Sequence, residues 1–562
     1  MRGTTRRKAI TGAVAVLALT LSACGGDEGE EPDQDAGDEE PDDEDGGEGG
    51  DDPLADQSVG AMDEWGVGDT FVATEPVEFG LLYRDHPNYP YQEDWLILET
   101  LEQEHNVTFD TVNVPLSDWN DRRNLLLGAG DAPELVPSIY AGDEDQFVAG
   151  GALLPVSDYL DYLPNFWDKV QKWGLEAEID NLRQEDGKFY ILPGLHELNN
   201  PQYTFAYRAD LFEEAGITEQ PATWDEWADQ LETVVEFHDL DYGITDGADN
   251  FQVLDATLSV AGPNFGTQGG WTWYGREGVW HNGEQFEYVP AMDEYRDMIA
   301  YFADLNDRGL LDPESINQDK DQSDQKFLNG NAAARGSNYQ EIVNLRQSFE
   351  DLGEDVELEL LTVPTGPAGS NLNSGERLES GIVISAHAAE SDHFKALLQY
   401  VDWQYFGDTG LEFAKWGVEG ETYTKEDDGT RVLAESVDWG GLNPGAPEQL
   451  NADYGFYNGV WTLAHGSTAD LFLSMHREET QEFITKMNEK EELPLPPPAP
   501  LTEEEQERAQ LLRGTLESHA QENTAQFILG QRSLDEWDDY VAELEGLGMS
   551  DYVTLYNEAA NR

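Results

Sequence analysis

Apolar stretches of strand length alternate with amphipathic stretches of helical length once the chain passes residue 75. The stretch 77–83 (VEFGLLY) predicts a strand, and 95–104 predicts a helix with apolar positions on one side. Residues 106–114 and 135–140 (LVPSIY) predict two further strands. Strands that alternate with helices at this spacing favour an α/β fold whose sheet is largely parallel.

Two helix starts have the sequence of a capping box. Thr223-Trp224-Asp225-Glu226 is followed by Trp227 and further apolar residues on one helical face, and Ser533-Leu534-Asp535-Glu536 is followed by Trp537. We assign Trp224, Trp227 and Trp537 to the core because they fall on these faces. The region after residue 60 is about 500 residues long, which exceeds what one hydrophobic core supports, so two lobes are expected.

The first 24 residues have the layout of a secretory signal peptide. A basic start is followed by the apolar run 10–21, which is too short to span a bilayer. The run ends in Leu21-Ser22-Ala23-Cys24, which contains the single cysteine of the chain. This segment resembles the lipobox of bacterial lipoproteins, and the resemblance implies that Cys24 is acylated and becomes residue one. Arg6-Arg7 also matches the arginine pair of a twin-arginine export signal.

Acidic residues dominate the composition. Residues 27–56 contain many Asp and Glu, no Lys or Arg and almost nothing apolar, which predicts a disordered spacer. The whole chain carries a formal net charge of −85, with acids spread along its length. This distribution favours a halophile surface over a site for cationic ligands, and it argues against nucleic acid as a partner. With a single cysteine, no intramolecular disulfide is expected.

Seven local motifs stand in a fixed order along the chain. They are 186–193 (DGKFYILP), 207–212 (YRADLF), 215–217 (AGI), 221–227 (PATWDEW), 330–334 (GNAAA), 416–423 (WGVEGETY) and the closing stretch 527–541. In this order they resemble the extracellular solute-binding lipoproteins of bacterial ABC importers, family 1 sugar-binding, in the long branch that includes LipO-like and alginate-binding proteins. The resemblance covers residues 75–562. It implies a two-lobe, periplasmic-binding-protein-like α/β fold with hinge-crossing strands that closes over a sugar and delivers it to permease transmembrane subunits.

The resemblance and the composition together give an expected domain division. It consists of a signal peptide (1–23), a lipidated acidic disordered tether (24–60), lobe I (61–200 and a return segment 331–378) and lobe II (201–330 and a return segment 379–562 with C-terminal helices). We expect a monomer held by its lipid at the extracellular face of the cell membrane.

Aromatic residues provide the candidate sugar site. The chain contains 15 Trp and 23 Tyr, and sugars bind by stacking on flat rings while amides and carboxylates hold their hydroxyls. Loops at the carboxyl ends of strands are the expected location. The candidate ligand-binding residues are Tyr83, Tyr89, Tyr91, Asp118, Tyr140, Glu197, Asn200, Trp271, Trp273, Asn338 and Tyr339. Each aromatic has the alternative of being a packed core residue, and Tyr207 and Arg208 are assigned to the hinge or to lobe packing.

Other chemistry is weakly represented. The sequence contains no nucleophile elbow, phosphate loop, Cys-x-x-Cys pair or zinc motif. Asn317-x-Asp319-x-Asp321 is similar to the start of a calcium loop, but Gln322 and Leu328 stand where a glycine and a glutamate are required. Because some alginate-binding relatives carry calcium, a structural calcium ion stays open, and no other cofactor is predicted.

Three functions are compatible with these features. The favoured one is a lipid-anchored receptor that captures an oligosaccharide between two lobes without altering it. A binding protein for a peptide or a cationic osmolyte such as a betaine is the second, since aromatic boxes hold quaternary ammonium groups. A surface glycoside hydrolase or lyase is the third, since it also needs aromatic residues and carboxylates.

Overall fold

Two separate β-sheets and the helices packed on them organise the chain. The computed structural model describes residues 52–247, 254–270, 278–373, 377–458 and 466–562. The strands are β1 (Val77–Asp85), β2 (Val107–Pro115), β3 (Leu135–Ile139), β4 (Ile191–Leu195), β5 (Tyr203–Arg208), β6 (Tyr242–Thr245), β7 (Val279–His281), β8 (Phe286–Tyr288), β9 (Ala332–Asn338), β10 (Leu358–Leu360), β11 (Asn371–Leu372), β12 (Leu378–Ile384), β13 (Tyr423–Lys425), β14 (Arg431–Leu433), β15 (Val437–Asp438), β16 (Glu448–Gln449) and β17 (Glu491–Glu492).

The α-helices, short 3-10 turns aside, are of very different lengths. They are α1 (Leu96–His105), α2 (Trp119–Ala129), α3 (Asp145–Val148), α4 (Pro164–Trp173), α5 (Glu176–Asp180), α6 (Ala209–Glu214), α7 (Trp224–His238), α8 (Asp255–Phe265), α9 (Asp293–Asp307), α10 (Lys320–Leu328), α11 (Glu341–Leu352), α12 (Phe394–Phe406), α13 (Asp408–Trp416), α14 (Ala469–Ser474), α15 (Glu478–Met487), α16 (Glu503–Ile528), α17 (Trp537–Gly546) and α18 (Met549–Ala560). Across the described ranges, none of these helices combines the length and apolar character needed to cross a bilayer.

The first sheet has the strand order β2-β1-β3-β12-β4. β1 runs parallel to both of its neighbours, with Val77 opposite Val107 and Leu81 opposite Leu135. β12 is antiparallel to β3 and to β4. The strands predicted at 77–83, 106–114 and 135–140 and the helix predicted at 95–104 are confirmed as β1, β2, β3 and α1. The first sheet is therefore largely parallel, as predicted, apart from β12, whereas in the second sheet β5 is antiparallel to both of its neighbours.

The second sheet has the order β10-β5-β9-β6 and its own apolar core. Trp224, Trp227 and Trp537 are all buried in that core, as the sequence predicts. The Tyr207 hydroxyl donates to the Glu359 carboxylate of β10, and Arg208 pairs with Asp210 at 2.7 Å, so both residues support lobe packing. α16 to α18 contribute buried residues to the same core.

The two predicted helix starts differ in detail. The Thr223 hydroxyl accepts a hydrogen bond from the Glu226 N–H at 3.2 Å, and α7 begins at the next residue. The Ser533 hydroxyl instead accepts from the Asp535 N–H and opens a 3-10 turn, so α17 begins only at Trp537. The second helix therefore starts three residues later than the box predicts, because the hydroxyl bonds the N–H two residues on instead of three.

Part of the expected lobe assignment is wrong: residues 331–372 belong to the second lobe and residues 378–456 to the first, while the C-terminal helices pack on the second core. β9 and β10 lie within 331–378 but pair in the second sheet with β5. β12, which follows, inserts between β3 and β4 in the first sheet, and α12 and α13 pack into the first core. The expected assignment is wrong because the apolar residues of β12 complete the first sheet. The chain thus passes between the lobes from β4 to β5, from β10 to β12, and again between Phe456 and Phe472.

Residues 53–73, here called the N-terminal strap, pack on the first lobe. Leu54 and Phe71 are buried in its core, and the Val59 N–H donates to the Asp392 carbonyl at 2.9 Å. The expected disordered tether 24–60 is therefore wrong for residues 53–60, since their apolar side chains have a core to enter. The predicted signal peptide and Cys24 lie outside the described residues.

Asp402 of α12 ties the strap to the start of α4. Its carboxylate accepts hydrogen bonds from the Trp65 indole N–H at 3.1 Å, from both nitrogens of Asn165 and from the Phe166 N–H at 2.9 Å. The carboxylate thereby satisfies backbone donors that a helix start leaves without partners. Burial is the largest influence on Asp402 and raises its pKa to about 6, although each of these hydrogen bonds lowers it.

The raised pKa of Asp402 predicts a pH-dependent stability. In the pH interval between the unfolded and folded pKa values the folded protein binds the proton more tightly, so stability is gained as pH falls through about 6 and is lost as pH rises. Measured against Asp402→Asn, the parent's free energy of unfolding should rise by about 2 to 3 kcal/mol between pH 7 and pH 4. Denaturant unfolding of both proteins across this range checks it. A constant difference between them would contradict the prediction.

Candidate functional site

The candidate site lies where the two sheets approach each other at the hinge. The carboxyl ends of β1 and β3 and the amino end of β12 share one edge of the first sheet, since Gly381 lies opposite Ile139. In the second sheet, the start of β5 and the end of β9 share an edge, with Tyr203 opposite Asn338. The segment from β4 to β5 connects these two edges. Open α/β sheets bind ligands at edges of this kind.

Glu379, near the start of β12, is the centre of a polar network at this point. Its Oε2 accepts hydrogen bonds from Asn200 Nδ2 and from Gln202 Nε2, each at 3.0 Å, and lies 3.8 Å from His196 Nε2. The Tyr339 hydroxyl, just beyond β9, donates to Asn200 Oδ1 at 2.8 Å. We call these five residues the hinge cluster. It runs from the first lobe, through a crossing segment, to the second lobe.

Tyr457 and Lys415 lie next to the hinge cluster on the first lobe. The Lys415 ammonium stands 4.8 Å from the centroid of the Tyr457 ring, and the Trp439 ring centroid lies 4.1 Å from the same ring. Tyr457 has a left-handed backbone with φ of 45°. Non-glycine residues in that conformation are strained and concentrate at functional sites.

Burial shifts the pKa values of the ionisable side chains around the hinge cluster. Burial lowers the pKa of Lys415 to about 7, against the opposing charge of Glu379. Burial and the neighbouring Lys415 lower the pKa of His476 to about 3, and its ring centroid lies 4.7 Å from that of Tyr339. Burial also raises the Tyr339 pKa well above its ordinary value. His476 and Tyr339 are therefore both neutral at neutral pH.

Tyr140 is the exposed aromatic residue of the site. The residue is 53% exposed, yet surrounding protein and the Glu379 carboxylate raise the pKa of its hydroxyl to about 12, while Arg84 acts to lower it. A flat ring next to amides and a carboxylate can hold a polyhydroxylated ligand by stacking and hydrogen bonding. Among the described residues of the hinge cluster, Glu379 is the one carboxylate.

Three predicted site residues, Tyr140, Asn200 and Tyr339, come together around Glu379. Tyr83 does not, because its ring is fully buried in the first core. Its hydroxyl accepts a hydrogen bond from Asn458 at 3.3 Å. The expectation that Tyr83 stacks on a ligand is therefore wrong in this structure, since the alternation of β1 turns it inward.

The remaining predicted residues have local roles. Tyr91 packs on Tyr83 with ring centroids 4.9 Å apart, and Tyr89 stacks on His86 at 4.4 Å. Side chains of the polar candidates mostly cap helices. Glu197 accepts from the Ala469 N–H of α14 at 2.7 Å, Asn338 accepts from the Glu341 N–H of α11 at 2.8 Å, and Asp118 is exposed before α2. Trp271 and Trp273 lie outside the described residues.

The segment similar to a calcium loop begins a helix. Asp319 accepts from the Gln322 N–H at 2.9 Å, and the Gln322 side chain accepts from the Asp319 N–H at 3.2 Å. This capping box starts α10. Over the described part of the chain, no three His, Cys, Asp or Glu residues are grouped to hold a metal ion.

Sequence reasoning missed six residues of this region, which are His196, Gln202, Glu379, Lys415, Tyr457 and His476. None of them lies in a recognisable motif for a binding group. Among them, Lys415 alone lies beside a motif of the sequence analysis, because the motif 416–423 (WGVEGETY) begins at the next residue.

Two lobes on separate sheets, joined by crossing segments whose polar side chains meet at the hinge, define a two-lobe binding protein. The chain belongs to the bacterial extracellular solute-binding protein family. Residues 90–403, which are more than half of the chain, match the sequence model of that family. That match establishes the class of protein from sequence alone.

Two relatives extend the similarity to most of the chain. The fructooligosaccharide ABC transporter substrate-binding protein FusA of Streptococcus pneumoniae is 22% identical over 496 residues, 82% of this chain and 85% of FusA. The polygalacturonan/rhamnogalacturonan-binding protein YtcQ of Bacillus subtilis is 23% identical over 495 residues, 85% of this chain and 90% of YtcQ. The alginate-binding protein AlgQ2, solved without calcium, superposes with a TM-score of 0.65 at 17% identity, covering 88% of this chain and 99% of AlgQ2. This structural likeness establishes the two-lobe fold.

Proposed function

We propose that this protein is an oligosaccharide receptor of an ABC importer. The observation that carries the proposal is the hinge cluster, in which Glu379 and Asn200 connect the lobes beside the half-exposed ring of Tyr140. Carboxylate, amide and phenol groups beside an aromatic face suit sugar hydroxyls and sugar C–H faces. The relatives named for fructooligosaccharide and for polygalacturonan support the same class of ligand.

In this proposal, Tyr140 stacks on the sugar, and the hinge cluster senses it. Asn200 and Gln202 lie on a crossing segment, so a hydroxyl that bonds Glu379 or these amides changes the balance of contacts across the hinge. A ligand that contacts both lobes favours the closed form by its differential affinity for that form. The permease then recognises the closed lobes. No chemical turnover of the ligand is part of this mechanism.

The N-terminal sequence and the family support a proposed anchor and proposed partners. Acylation of Cys24 would hold the protein at the extracellular face of the cell membrane, and the acidic segment 27–52 would act as a spacer. The protein would work as a monomer that delivers sugar to the permease transmembrane subunits. Incorporation of labelled fatty acid by the parent, and its absence in Cys24→Ala, tests the anchor.

A thermal-shift and calorimetry screen of the purified protein tests the ligand class. We expect kestose or an oligouronide to bind, and a ligand at about one hundred times its dissociation constant stabilises by about 2.7 kcal/mol. Glycine betaine and a tripeptide serve as the comparison ligands. Binding of betaine or peptide but of no sugar would contradict the proposal. Release of reducing ends from bound sugar would indicate a hydrolase instead.

A further inference from the structure

Arg84 stands at the ligand-facing end of the first sheet. It lies near the carboxyl end of β1, which is the direct neighbour of β3 in the sheet. Because Leu81 pairs with Leu135 in a parallel register, Arg84 lies beside the last residues of β3. Tyr140 follows directly after β3, and the charge of Arg84 acts on its hydroxyl. Arg84 is partly exposed.

Arg84 has no carboxylate partner among the described residues, although 116 acidic residues outnumber 31 basic ones in this chain. Arg123, also in the first lobe, pairs with Asp143 at 3.0 Å. Within the part of the chain that the structure describes, no carboxylate lies within ion-pairing distance of the Arg84 guanidinium. The adjacent Asp85 uses Oδ1 to accept the Tyr91 N–H at 2.9 Å, which fixes that carboxylate in its own loop.

We propose that Arg84 binds a carboxylate of the ligand, so that the captured sugar is a uronate-containing, acidic oligosaccharide. This inference rests on the proposed function. A sugar ring that stacks on Tyr140 brings its exocyclic carboxylate within reach of the neighbouring guanidinium. Arginine suits this role because its planar fork donates two parallel hydrogen bonds to one carboxylate.

The overall charge of the protein makes such a local cation necessary for an acidic ligand. A formal net charge of −85 repels an anion at long range. Salt screens that repulsion beyond about 8 Å at physiological ionic strength, while a contact between guanidinium and carboxylate lies well inside this length. Arg84 would therefore supply a short-range attraction for an acidic sugar beside Tyr140.

Calorimetry with matched acidic and neutral ligands tests the inference. The probes are trigalacturonate and trimannuronate, each as the free acid and as the full methyl ester, with kestose as a neutral comparison. The parent should bind one free acid at least about tenfold more tightly than its methyl ester. Arg84→Gln should remove that preference and leave the affinity for the ester unchanged within about twofold, and Arg84→Lys should keep part of the preference. Arg122→Gln, an exposed arginine of α2, is the matched control and should behave as the parent.

The outcomes separate this inference from the proposed function. Equal affinity for acid and ester, binding of kestose alone, or an equal loss for both ligand forms in Arg84→Gln would overturn the uronate inference and leave the sugar receptor standing. Binding of no sugar at all by a folded parent protein would overturn both. Circular dichroism melting of each variant shows that the compared proteins are folded.

Discussion

Glu379→Ala is expected to weaken oligosaccharide binding by about 30- to 100-fold, which corresponds to about 2 to 3 kcal/mol. The carboxylate accepts hydrogen bonds from both Asn200 and Gln202. Without it, two buried or half-buried amides lose an acceptor, and each such loss costs about 1 to 3 kcal/mol. The amides would then turn to other partners and would no longer present their groups to a ligand. Isothermal titration calorimetry with the best ligand of the screen measures the change.

Two variants control this experiment. Glu379→Gln keeps one acceptor oxygen and should lose less affinity than Glu379→Ala, which separates the hydrogen bonds from the charge. Glu197→Ala removes a neighbouring glutamate whose carboxylate caps α14, so its effect on binding should stay within about twofold. If Glu197→Ala weakened binding more than Glu379→Ala does, the hinge cluster would not be the ligand-sensing element.

Trp227→Ala is expected to lower the free energy of unfolding of the second lobe by about 3 to 5 kcal/mol. Trp227 is fully buried and stacks on Phe212 with ring centroids 5.6 Å apart. Tyr207 and Phe205 also contact it, each with a ring-centroid distance of 6.2 Å. An alanine would leave a cavity among β5, α6 and α7, which cannot all move to fill it. Guanidinium unfolding followed by circular dichroism measures the loss.

Phe237→Ala is the matched control, because Phe237 is an aromatic residue of the same helix but is 62% exposed. Its effect should stay within about 0.5 kcal/mol, the usual range for surface positions. Comparable losses in both variants would contradict the prediction, because they would show that the burial of Trp227 does not determine the loss.

Local pattern was sufficient for the elements near the start of the fold. The strands β1, β2 and β3 and the helix α1 each contain their own periodic signal, and Thr223 marks the start of α7 by its hydroxyl. The position of β12 could not be predicted this way. It joins β3 and β4, whose residues are about 180 to 250 positions earlier in the chain, and such pairing depends on tertiary contacts that no local window contains.

The residues of the candidate site were only partly predictable for a related reason. Glu379 is one acidic residue among 116, so its residue type carries no signal in this chain. Lys415 lies in the last turn of α13, where a lysine is ordinary, and only the fold brings it against Tyr457. Asn200 and Tyr339 were accessible to sequence reasoning because each lies beside the end of a strand.

The error at Tyr83 has a plain physical origin. Val77, Phe79, Leu81 and Tyr83 occupy alternate positions of β1 and are all buried in the first core. Strand periodicity therefore places Tyr83 with three apolar residues on the inner face of the sheet. A strict application of that rule would have separated Tyr83 from Tyr140, which follows β3 and is exposed.

The N-terminal strap determines how a pulling force would enter the molecule. Gln57 donates to the Ala389 carbonyl and Val59 to the Asp392 carbonyl, both beyond the end of β12 that is remote from Glu379. Tension applied at Pro53 would therefore enter the first lobe directly, on the side remote from Glu379 and through the hydrogen bonds of Asp402. The crossing segments would transmit only the force that acts on the second lobe.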